Sequence, residues 1–521
     1  MPPASEVNMS GAVVSMDAVG FRLGALALFV AAASALACND AQDQQSAVDP
    51  VPSSDFNAGT AANQPSAGSE GGEGSESPTG EAPETAPTPN TESAPADIPL
   101  EPGAGGAMSS GGAGAAESPA ESAGASNAGG APGAGGAGEP GVLPPVSFTP
   151  NVRLNDDGGR GRQTEVALAT GPNGLALAGW MDERAQRVCA FSVSTDSGLT
   201  WSENVSIPLT TGTFVGDPAV AIDAGGTLYA VCQEYGLEQI RLMTSTDRGV
   251  TWSANRAIQS APDKPWAAGG INSGEVFFSW LGQDAGIKRS RDGGLTFGPI
   301  QPLGNIIHGT AIVTSTSGLV HVPYNLDSAR NQLRYLRSSD GGNTWDNLRD
   351  LVPNMGRFCF QCQPRQHPIV GAASDPTGKI VAITWASQMP AGQPDDDVWL
   401  LYSDDGGVTW TNPIRVNDNT TNSRQFQPWV AVDAHGRVHV AWTDLRDDGL
   451  NKTFYARSAD PRKGFEPSIQ VTDQPGTAQL GFLGDYKGIA ISGTDVLIVW
   501  QDTRRDTGDI YFSRAAGAAG P

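Results

Sequence analysis

Arginine and aspartate recur two residues apart at three places in the chain, in the pattern Trp-x-Asp-x-Arg. The copies run from Trp180 to Arg184, from Trp442 to Arg446 and from Trp500 to Arg504. A guanidinium group binds a carboxylate through two parallel hydrogen bonds, so a cluster of such arginines suits a ligand like an acidic sugar. The same Asp and Arg could instead form a repeated ion pair between neighbouring structural units. Both hypotheses remain open for Arg184, Arg446 and Arg504.

Further side chains capable of chemistry lie at the start of apolar segments in the same region. We take Glu165, Asp485 and Tyr486 as catalytic candidates on their predicted placement alone. Polar residues in the same kind of position are Arg160, Arg162, Gln163, Arg365, His367, Arg424 and Gln427. Asp395, Asp396 and Asp397 could bind calcium, but a solvated acidic loop is the favoured interpretation. The sequence contains no glycine-rich nucleotide loop, HExxH or Gly-x-Ser-x-Gly motif, and we expect no cofactor and no metal.

An octet of the form Ser-x-Asp-x-Gly-x-Thr-Trp recurs five times and indicates the elements that position these residues. The copies are Ser194–Trp201, Ser245–Trp252, Ser290–Phe297, Ser338–Trp345 and Ser403–Trp410. A repeat every 45 to 60 residues or so is typical of propellers and other repeat arrays. In each copy the Asp can accept backbone hydrogen bonds within a tight turn, and the Gly can adopt a positive φ.

The octet resembles the Asp-box of the sialidase-like, BNR-repeat propellers, and the resemblance covers nearly all of the last 370 or so residues. It implies that the boxes are structural turns on the face away from the active site. The aspartates concerned are Asp196, Asp247, Asp292, Asp340 and Asp405. It also implies sialidase chemistry, in which three arginines grip a carboxylate and a Tyr nucleophile pairs with a Glu. The Arg-Ile-Pro motif of that family is absent, so no catalytic residue is transferred by motif.

Seven segments of two apolar strands around a small-residue turn support the same architecture. They end at Trp180, Cys232, Trp280, Tyr324, Trp385, Trp442 and Trp500. The segment Phe148–Asn155 copies Trp410–Asn417, which is the outer strand of the fifth repeat, and the seventh repeat lacks such a strand. We therefore predict an all-β protein, a seven-bladed β-propeller closed by the N-terminal strand, with six blades as the alternative. Sialidases proper have six.

The chain before the propeller has two further segments. Residues 1–38 are predicted to be a signal peptide that ends at a lipidated Cys38, with ordinary secretion as the alternative. Residues 39–147 contain fifteen acidic and no basic residues and are rich in Gly, Ala, Pro and Ser, which predicts a disordered tether. Most of the net charge of −24 therefore belongs to the tether, and the composition argues against nucleic acid as a partner. The propeller is predicted to occupy residues 148–516.

The cysteines are consistent with export. We expect a local disulfide between Cys359 and Cys362, since no second Cys pair suggests a zinc site. Cys189 and Cys232 fall in apolar strands and are expected to be buried thiols.

Two functions from different classes follow. The first is a glycosidase of exo-sialidase type at the cell surface or outer membrane, and the second is a propeller that binds a glycan or a surface protein without catalysis. The first requires three convergent arginines and a Tyr–carboxylate pair, and the second predicts an aromatic or polar rim without them. A monomer is expected in either case.

Overall fold

The computed structural model describes residues 145–156, 161–183, 187–208, 215–260, 263–282, 284–304, 309–326, 331–358, 362, 364–389, 395–477, 482–505 and 508–520. Their strands form seven antiparallel sheets of four strands each, as predicted for a seven-bladed propeller. Three short 3₁₀ turns, Pro172–Gly174, Tyr235–Leu237 and Pro461–Lys463, are the helical elements of this part of the chain. No helix among the described residues has the length and apolar character needed to cross a membrane.

The strands follow in chain order, from the inner to the outer strand of each blade. A short strand, β1 (Val152–Arg153), comes first. Blade 1 contains β2 (Gln163–Thr170), β3 (Ala176–Asp182), β4 (Val188–Ser194) and β5 (Val205–Ser206). Blade 2 contains β6 (Val215–Ile222), β7 (Leu228–Glu234), β8 (Gln239–Ser245) and β9 (Arg256–Ser260). Blade 3 contains β10 (Asp263–Gly269), β11 (Val276–Leu281), β12 (Gly286–Ser290) and β13 (Gln301–Pro302).

The later blades repeat this order. Blade 4 contains β14 (Val313–Thr314), β15 (Val320–Leu326), β16 (Gln332–Ser338) and β17 (Arg349–Val352). Blade 5 contains β18 (Gly371–Ser374), β19 (Val381–Ser387), β20 (Asp397–Ser403) and β21 (Ile414–Arg415). Blade 6 contains β22 (Gln425–Val432), β23 (Val438–Asp444), β24 (Lys452–Ser458) and β25 (Ile469–Gln470). Blade 7 contains β26 (Gly488–Ser492), β27 (Asp495–Asp502) and β28 (Asp509–Ala515).

The N-terminal strand closes the ring. Strand β1 pairs antiparallel with β28, with Val152 opposite Phe512, and so supplies the fourth strand of blade 7. The Thr149 amide also donates to the Arg514 carbonyl at 2.9 Å. Because the last blade borrows its outer strand from the start of the domain, the ring has no open seam between first and last blades.

The core lies between the blades. The aromatics that end the second strands form a buried column, and its five tryptophans are essentially unexposed, namely Trp180, Trp280, Trp385, Trp442 and Trp500. The second strands are apolar along most of their length because each blade packs against a neighbouring blade on both faces. The same periodic signal in the sequence therefore identified both the blades and their contacts.

Each octet forms a self-contained turn. In the first copy Ser194 donates to Asp196 Oδ1 at 2.8 Å, and the Thr200 amide and hydroxyl donate to the two Asp196 oxygens at 2.9 and 2.5 Å. Gly198 adopts a φ of 82° in this turn. The Ser197 amide donates to the Gly174 carbonyl at 2.8 Å, which places the octet beside the hairpin between the first and second strands of its blade.

The octet aspartates are acidic because the turn stabilises their charged form. The hydroxyl and amide of Thr251 lower the pKa of Asp247 to about 2, and Thr296 and Thr344 lower the pKa of Asp292 and Asp340 to about 2 in the same way. A carboxylate that accepts this many hydrogen bonds is held in its ionised form, as a turn-stabilising group.

The expectation of two buried thiols at Cys189 and Cys232 is wrong. These residues form a disulfide between β4 of blade 1 and β7 of blade 2, with their Cα atoms 6.2 Å apart. The two cysteines lie in different blades, so their approach depended on how the blades pack and could not be read from either strand. Cys362 is also disulfide-bonded, while Cys359 lies outside the described residues, so the predicted pairing of Cys359 with Cys362 stays a prediction.

Candidate functional site

The inner strands of four blades are interrupted by a β-bulge at equivalent positions. The residues at these bulges have positive φ angles, which are 55° at Glu165, 46° at Asp217, 40° at Lys264 and 51° at Gln427. Bulges re-aim side chains and are frequent beside functional sites, and a positive φ at such residues is uncommon. All four lie at the end of the channel opposite the octets. We name the group of Glu165, Asp217, Lys264, Arg365 and Asp485 the mouth cluster.

The bulges bring charged side chains from several blades together. The Lys264 ammonium group lies 2.8 Å from Asp217 Oδ1 and 2.9 Å from Asp485 Oδ2, and 3.9 Å from Glu165 Oε1. Arg365 forms a two-pronged contact with Asp485, at 3.0 Å from Nη2 to Oδ2 and 3.3 Å from Nε to Oδ1. Lys264 therefore ties blades 1, 2 and 3 to the segment that leads into blade 7.

Asp485 is positioned by Gln427. The Gln427 amide nitrogen donates to the carbonyls of Leu483 and Gly484 at 3.0 and 2.6 Å, and its oxygen accepts from the Thr443 hydroxyl at 2.9 Å. With all these contacts satisfied, Gln427 holds the turn that presents Asp485 to the two cations.

The environments of the carboxyl groups push their pKa values apart. Burial raises the pKa of Glu165 well above its usual range, and Asp217 adds to the rise. Burial alone would also raise the pKa of Asp485, but Arg365, His367 and Lys264 hold it well below its usual range. Burial raises the pKa of Asp263, the neighbour of Lys264, to about 7. Two neighbouring carboxyls in opposite protonation states are what acid–base catalysis requires, and they also occur in structural charge clusters.

Both Glu165 carboxyl oxygens are buried and have no hydrogen-bond partner among the described residues. A buried carboxylate without such partners is strongly disfavoured relative to the neutral acid. This agrees with the raised pKa of Glu165, which Lys264 and Arg365 oppose.

Tyr486 is a structural residue of this site in its observed contacts. Its hydroxyl donates to the Pro218 carbonyl at 3.3 Å, and its ring packs edge-on against Trp266 with 4.9 Å between centroids. Trp266 in turn packs edge-on against Trp429 at 5.4 Å. These three rings lie under the mouth cluster and border a central cavity of about 520 Å³ lined by the inner strands. The Tyr–carboxylate pair that a sialidase mechanism requires is not formed by Tyr486.

The rim of the mouth combines cations with one aromatic ring. The Phe482 ring lies 4.2 Å from the Arg365 guanidinium carbon and 5.2 Å from that of Arg162, which is itself paired with Glu183 at 2.5 Å. Lys264, Arg365 and His367 keep 11%, 14% and 12% of their side chains exposed, whereas the Asp485 side chain is fully buried. A ligand that reaches the mouth therefore meets nitrogen donors first.

The arginines of the Trp-x-Asp-x-Arg repeats are engaged between blades. Arg446 contacts Asp444 of its own motif at 2.6 Å and Asp418, which follows blade 5, at 2.8 Å. Arg504 contacts Asp502 at 2.7 Å and also pairs with Asp473, which follows blade 6. Their described contacts include none with the mouth cluster. Arg184 and Arg160 lie outside the described residues. The observed contacts of Arg446 and Arg504 therefore match the hypothesis of a repeated ion pair between blades.

Two of the three residues in the acidic run Asp395 to Asp397 form ion pairs with arginines. Asp396 binds Arg424 at 2.7 Å and Asp397 binds Arg415 at 2.7 Å. Within the described residues, no group of three or more His, Cys, Asp and Glu side chains could hold a metal ion.

Sequence reasoning missed two members of the mouth cluster, Asp217 and Lys264. Each directly precedes a proline at the start of an inner strand, and His367 and Gln427 do the same in blades 5 and 6. Glu165 precedes Val166 instead, so this x-Pro signal marks Asp217 and Lys264 but does not by itself place them beside Glu165.

Glu165→Gln should change the pH dependence of stability. Because the folded pKa of Glu165 is raised, its contribution is fully present below the unfolded value of about 4.3 and is lost as pH rises through the folded pKa. The variant removes this loss, so its urea midpoint should equal that of the wild type near pH 4 and exceed it at pH 8. Glu203→Gln, at an exposed position, is the control. If the difference in urea midpoint between Glu165→Gln and the wild type does not grow with pH, the pKa of Glu165 is not raised.

Comparisons with known proteins agree with the fold. Residues 169–358 match the family model described as a BNR repeat-like domain. No protein of curated function matches the chain significantly. The chain is similar in structure to the NanB sialidase of Streptococcus pneumoniae, at 11% identity and a TM-score of 0.41 over 56% of this chain and 67% of that one.

Two other similar structures come from different functional classes. One is an alpha-L-arabinanase of Penicillium chrysogenum complexed with arabinobiose, at 12% identity and a TM-score of 0.40 over 71% of this chain and 98% of that one. The other is YCF48 bound to D1 peptide, at 14% identity and a TM-score of 0.41 over 72% and 98%. Similarity at this level concerns the fold and carries no information about the ligand. The repeated octets, the seven closed blades and the match of residues 169–358 to the family model together identify the chain as a β-propeller with BNR-like repeats, which resembles the sialidase-like propellers.

Proposed function

We propose that the propeller is a glycan-binding domain without hydrolase activity, and that its ligand is an acidic glycan that docks at the mouth. The observation that carries this proposal is the set of contacts made by the candidate catalytic residues. Tyr486 donates to a backbone carbonyl, and Arg446 and Arg504 form inter-blade ion pairs. Of the described arginines, Arg365 binds the carboxylate at the centre of the mouth.

The composition of the rim supports an acidic glycan. Arg365 and Lys264 present nitrogen atoms above carboxylates that they already neutralise, and Phe482 offers an aromatic ring beside them. Guanidinium groups bind carboxylates and sulfates in a planar, two-pronged geometry. The exposed parts of the rim can therefore hold the acidic group of a sugar while its apolar face lies near Phe482.

Export and membrane anchoring are part of the same proposal. We expect cleavage and lipidation at Cys38, with residues 39–147 as a tether that holds the propeller away from the membrane. The Cys189–Cys232 disulfide supports this expectation, because disulfides persist mainly in oxidising compartments.

A glycoside hydrolase is the second candidate, and one observation favours it. Burial raises the pKa of Glu165, the nearby cations lower the pKa of Asp485, and Lys264 lies 3.9 Å from the first and 2.9 Å from the second. In such an enzyme Glu165 would donate a proton to the leaving oxygen, and Asp485 would stabilise the positive charge that develops on the sugar ring. Both side chains are fully buried, so the substrate would have to displace Lys264 and Arg365 to reach them.

The test is a binding and turnover measurement on the full chain with sialylated oligosaccharides, their desialylated counterparts and a fluorogenic sialoside. We expect saturable binding of the sialylated ligands, no turnover, and binding at least tenfold weaker in Arg365→Gln. Phe482→Ala is the second mouth variant, since it removes a rim contact without removing a partner of Asp485. Arg462→Gln, a half-exposed arginine beside an octet turn, is the matched control and should bind like the wild type.

Three other outcomes would replace or refute the proposal of an acidic-glycan-binding domain. Turnover that is lost in Glu165→Gln would establish the hydrolase in place of the binding protein. Equal binding of sialylated and desialylated ligands would refute the acidic-glycan proposal. Absence of binding to both would overturn a glycan-binding role for the mouth.

A further inference from the structure

Blades 6 and 7 place an arginine over an aromatic ring at the same structural position. The Arg446 guanidinium carbon lies 4.1 Å from the centroid of the Phe454 ring, and that of Arg504 lies 4.3 Å from the centroid of Tyr511. Each aromatic is the third residue of its third strand, β24 or β28. Each arginine comes four residues after the buried tryptophan of the second strand. The repeat therefore contains a position built for a guanidinium group over a ring.

Blade 5 has the ring but lacks the arginine. The third residue of β20 is Trp399, and the residue four positions after Trp385 is Met389. Met389 and Trp399 both line a cavity of about 260 Å³ on the same face as the mouth. The tryptophan is only partly buried, and its indole nitrogen donates to the Ser387 carbonyl at 3.2 Å. Blade 5 therefore has a cavity beside its ring, with Met389 at the position where blades 6 and 7 carry an arginine.

The walls of this cavity carry excess negative charge. Asp395 and Asp397 both line it, together with the single cation Arg415. Arg415 is held by Asp397 at 2.7 Å and by the Asn419 carbonyl at 3.0 Å. Burial and the nearby Asp397 both raise the pKa of Asp395, while Arg424, which is paired with Asp396 at 2.7 Å, opposes the rise.

We propose that this cavity binds an organic cation of the guanidinium or alkylammonium type, seated over Trp399 as Arg446 and Arg504 are seated over Phe454 and Tyr511. The ring supplies the cation–π contact, and Asp395 supplies the charge partner that Asp444 and Asp502 supply in the other blades. A neutral sugar would leave that carboxylate unbalanced. The site lies on blade 5, apart from the mouth cluster, and its existence does not depend on the function of the mouth.

The test uses the full chain labelled with 5-fluorotryptophan, with the Trp399 fluorine resonance assigned from Trp399→Phe. The probes are methylguanidinium, the peptide acetyl-Gly-Arg-Gly-amide and the same peptide with citrulline, a neutral isostere of arginine. We expect a saturable shift of the Trp399 resonance with both cations, with a Kd on the order of a millimolar, and none with citrulline. If the arginine peptide binds at least tenfold more tightly than methylguanidinium, the natural ligand is an arginine side chain of a protein. If the two bind equally, the natural ligand is a free small cation.

Two variants at one position make the test independent of folding defects. Met389→Arg supplies the missing guanidinium from within the chain, so it should abolish the shift and raise the thermal unfolding midpoint. Met389→Leu conserves the volume and should bind both cations like the wild type. A shift with citrulline equal to that with arginine, or full binding in Met389→Arg, would overturn the proposal.

Discussion

Replacing Lys264 with methionine is expected to lower the free energy of unfolding by about 3–5 kcal/mol at neutral pH. The ammonium group lies within 3 Å of one oxygen each of Asp217 and Asp485, and the side chains of both acids are buried. Methionine fills a similar volume but leaves these charges without their shared partner. Breaking a buried ion pair on one side is costly because the remaining charge stays out of water.

The pH dependence and a double-mutant cycle identify the cause. The loss in Lys264→Met should shrink in acid, because protonation removes the negative charges that the ammonium group neutralises. Adding Asp217→Asn should recover part of the loss, so the double variant is more stable than the sum of the single effects. Lys463→Met, with the lysine side chain 80% exposed, should stay within about 0.5 kcal/mol of the wild type. Urea unfolding measures the wild type, Lys264→Met, Asp217→Asn, their double variant and Lys463→Met. A loss in Lys264→Met below about 1 kcal/mol would show that the mouth cluster is solvated.

Removing the disulfide between blades 1 and 2 should have the second-largest effect. The bond closes a loop across a sequence separation of 43 residues, for which chain entropy predicts a stabilisation of about 4 kcal/mol, with measured values more often about 2–4. The double variant Cys189→Ala, Cys232→Ala should lose about this much in urea unfolding. The cost includes the small cavity left where the buried sulfur atoms pack.

Reduction provides the matched control for this variant. A reducing agent should destabilise the wild type by a similar amount, and the further effect on the double variant reports only the disulfide that involves Cys362. Equal effects of reduction on both proteins would contradict a stabilising role for the Cys189–Cys232 bond.

Both predictions concern contacts between blades, and so do the arginine pairs. Arg446 and Arg504 each connect their blade to the segment that follows the preceding one, and Lys264 connects blade 3 to the inner strand of blade 2 at the mouth. Propeller blades are similar sheets that meet through apolar faces, so charged contacts at their edges help to set which blades are neighbours. In blade 5 the equivalent position carries Met389 in place of the arginine.

The sequence alone determined the architecture. Five octets and seven hairpin segments repeat at the level of single residues, and each repeat folds through local turns and period-two strands whose chemistry is visible in a short window. The copy of an outer strand at residues 148–155 even predicted how the ring closes, which the pairing of Val152 with Phe512 confirms. Local patterns suffice here because a propeller is one supersecondary unit used repeatedly.

The tertiary structure decided the site and the cross-links. Glu165 and Asp485 were found from the sequence, but Asp217 and Lys264 were not, since residues up to 320 positions apart meet at the mouth only when the ring closes. For the same reason Cys189 and Cys232 looked like separate buried thiols, and the Trp-x-Asp-x-Arg repeats could serve either a ligand or a neighbouring blade. The repeats specify each blade from within, whereas the charges at the mouth depend on the closed ring, because a Coulomb interaction is set by distance in space and not along the chain.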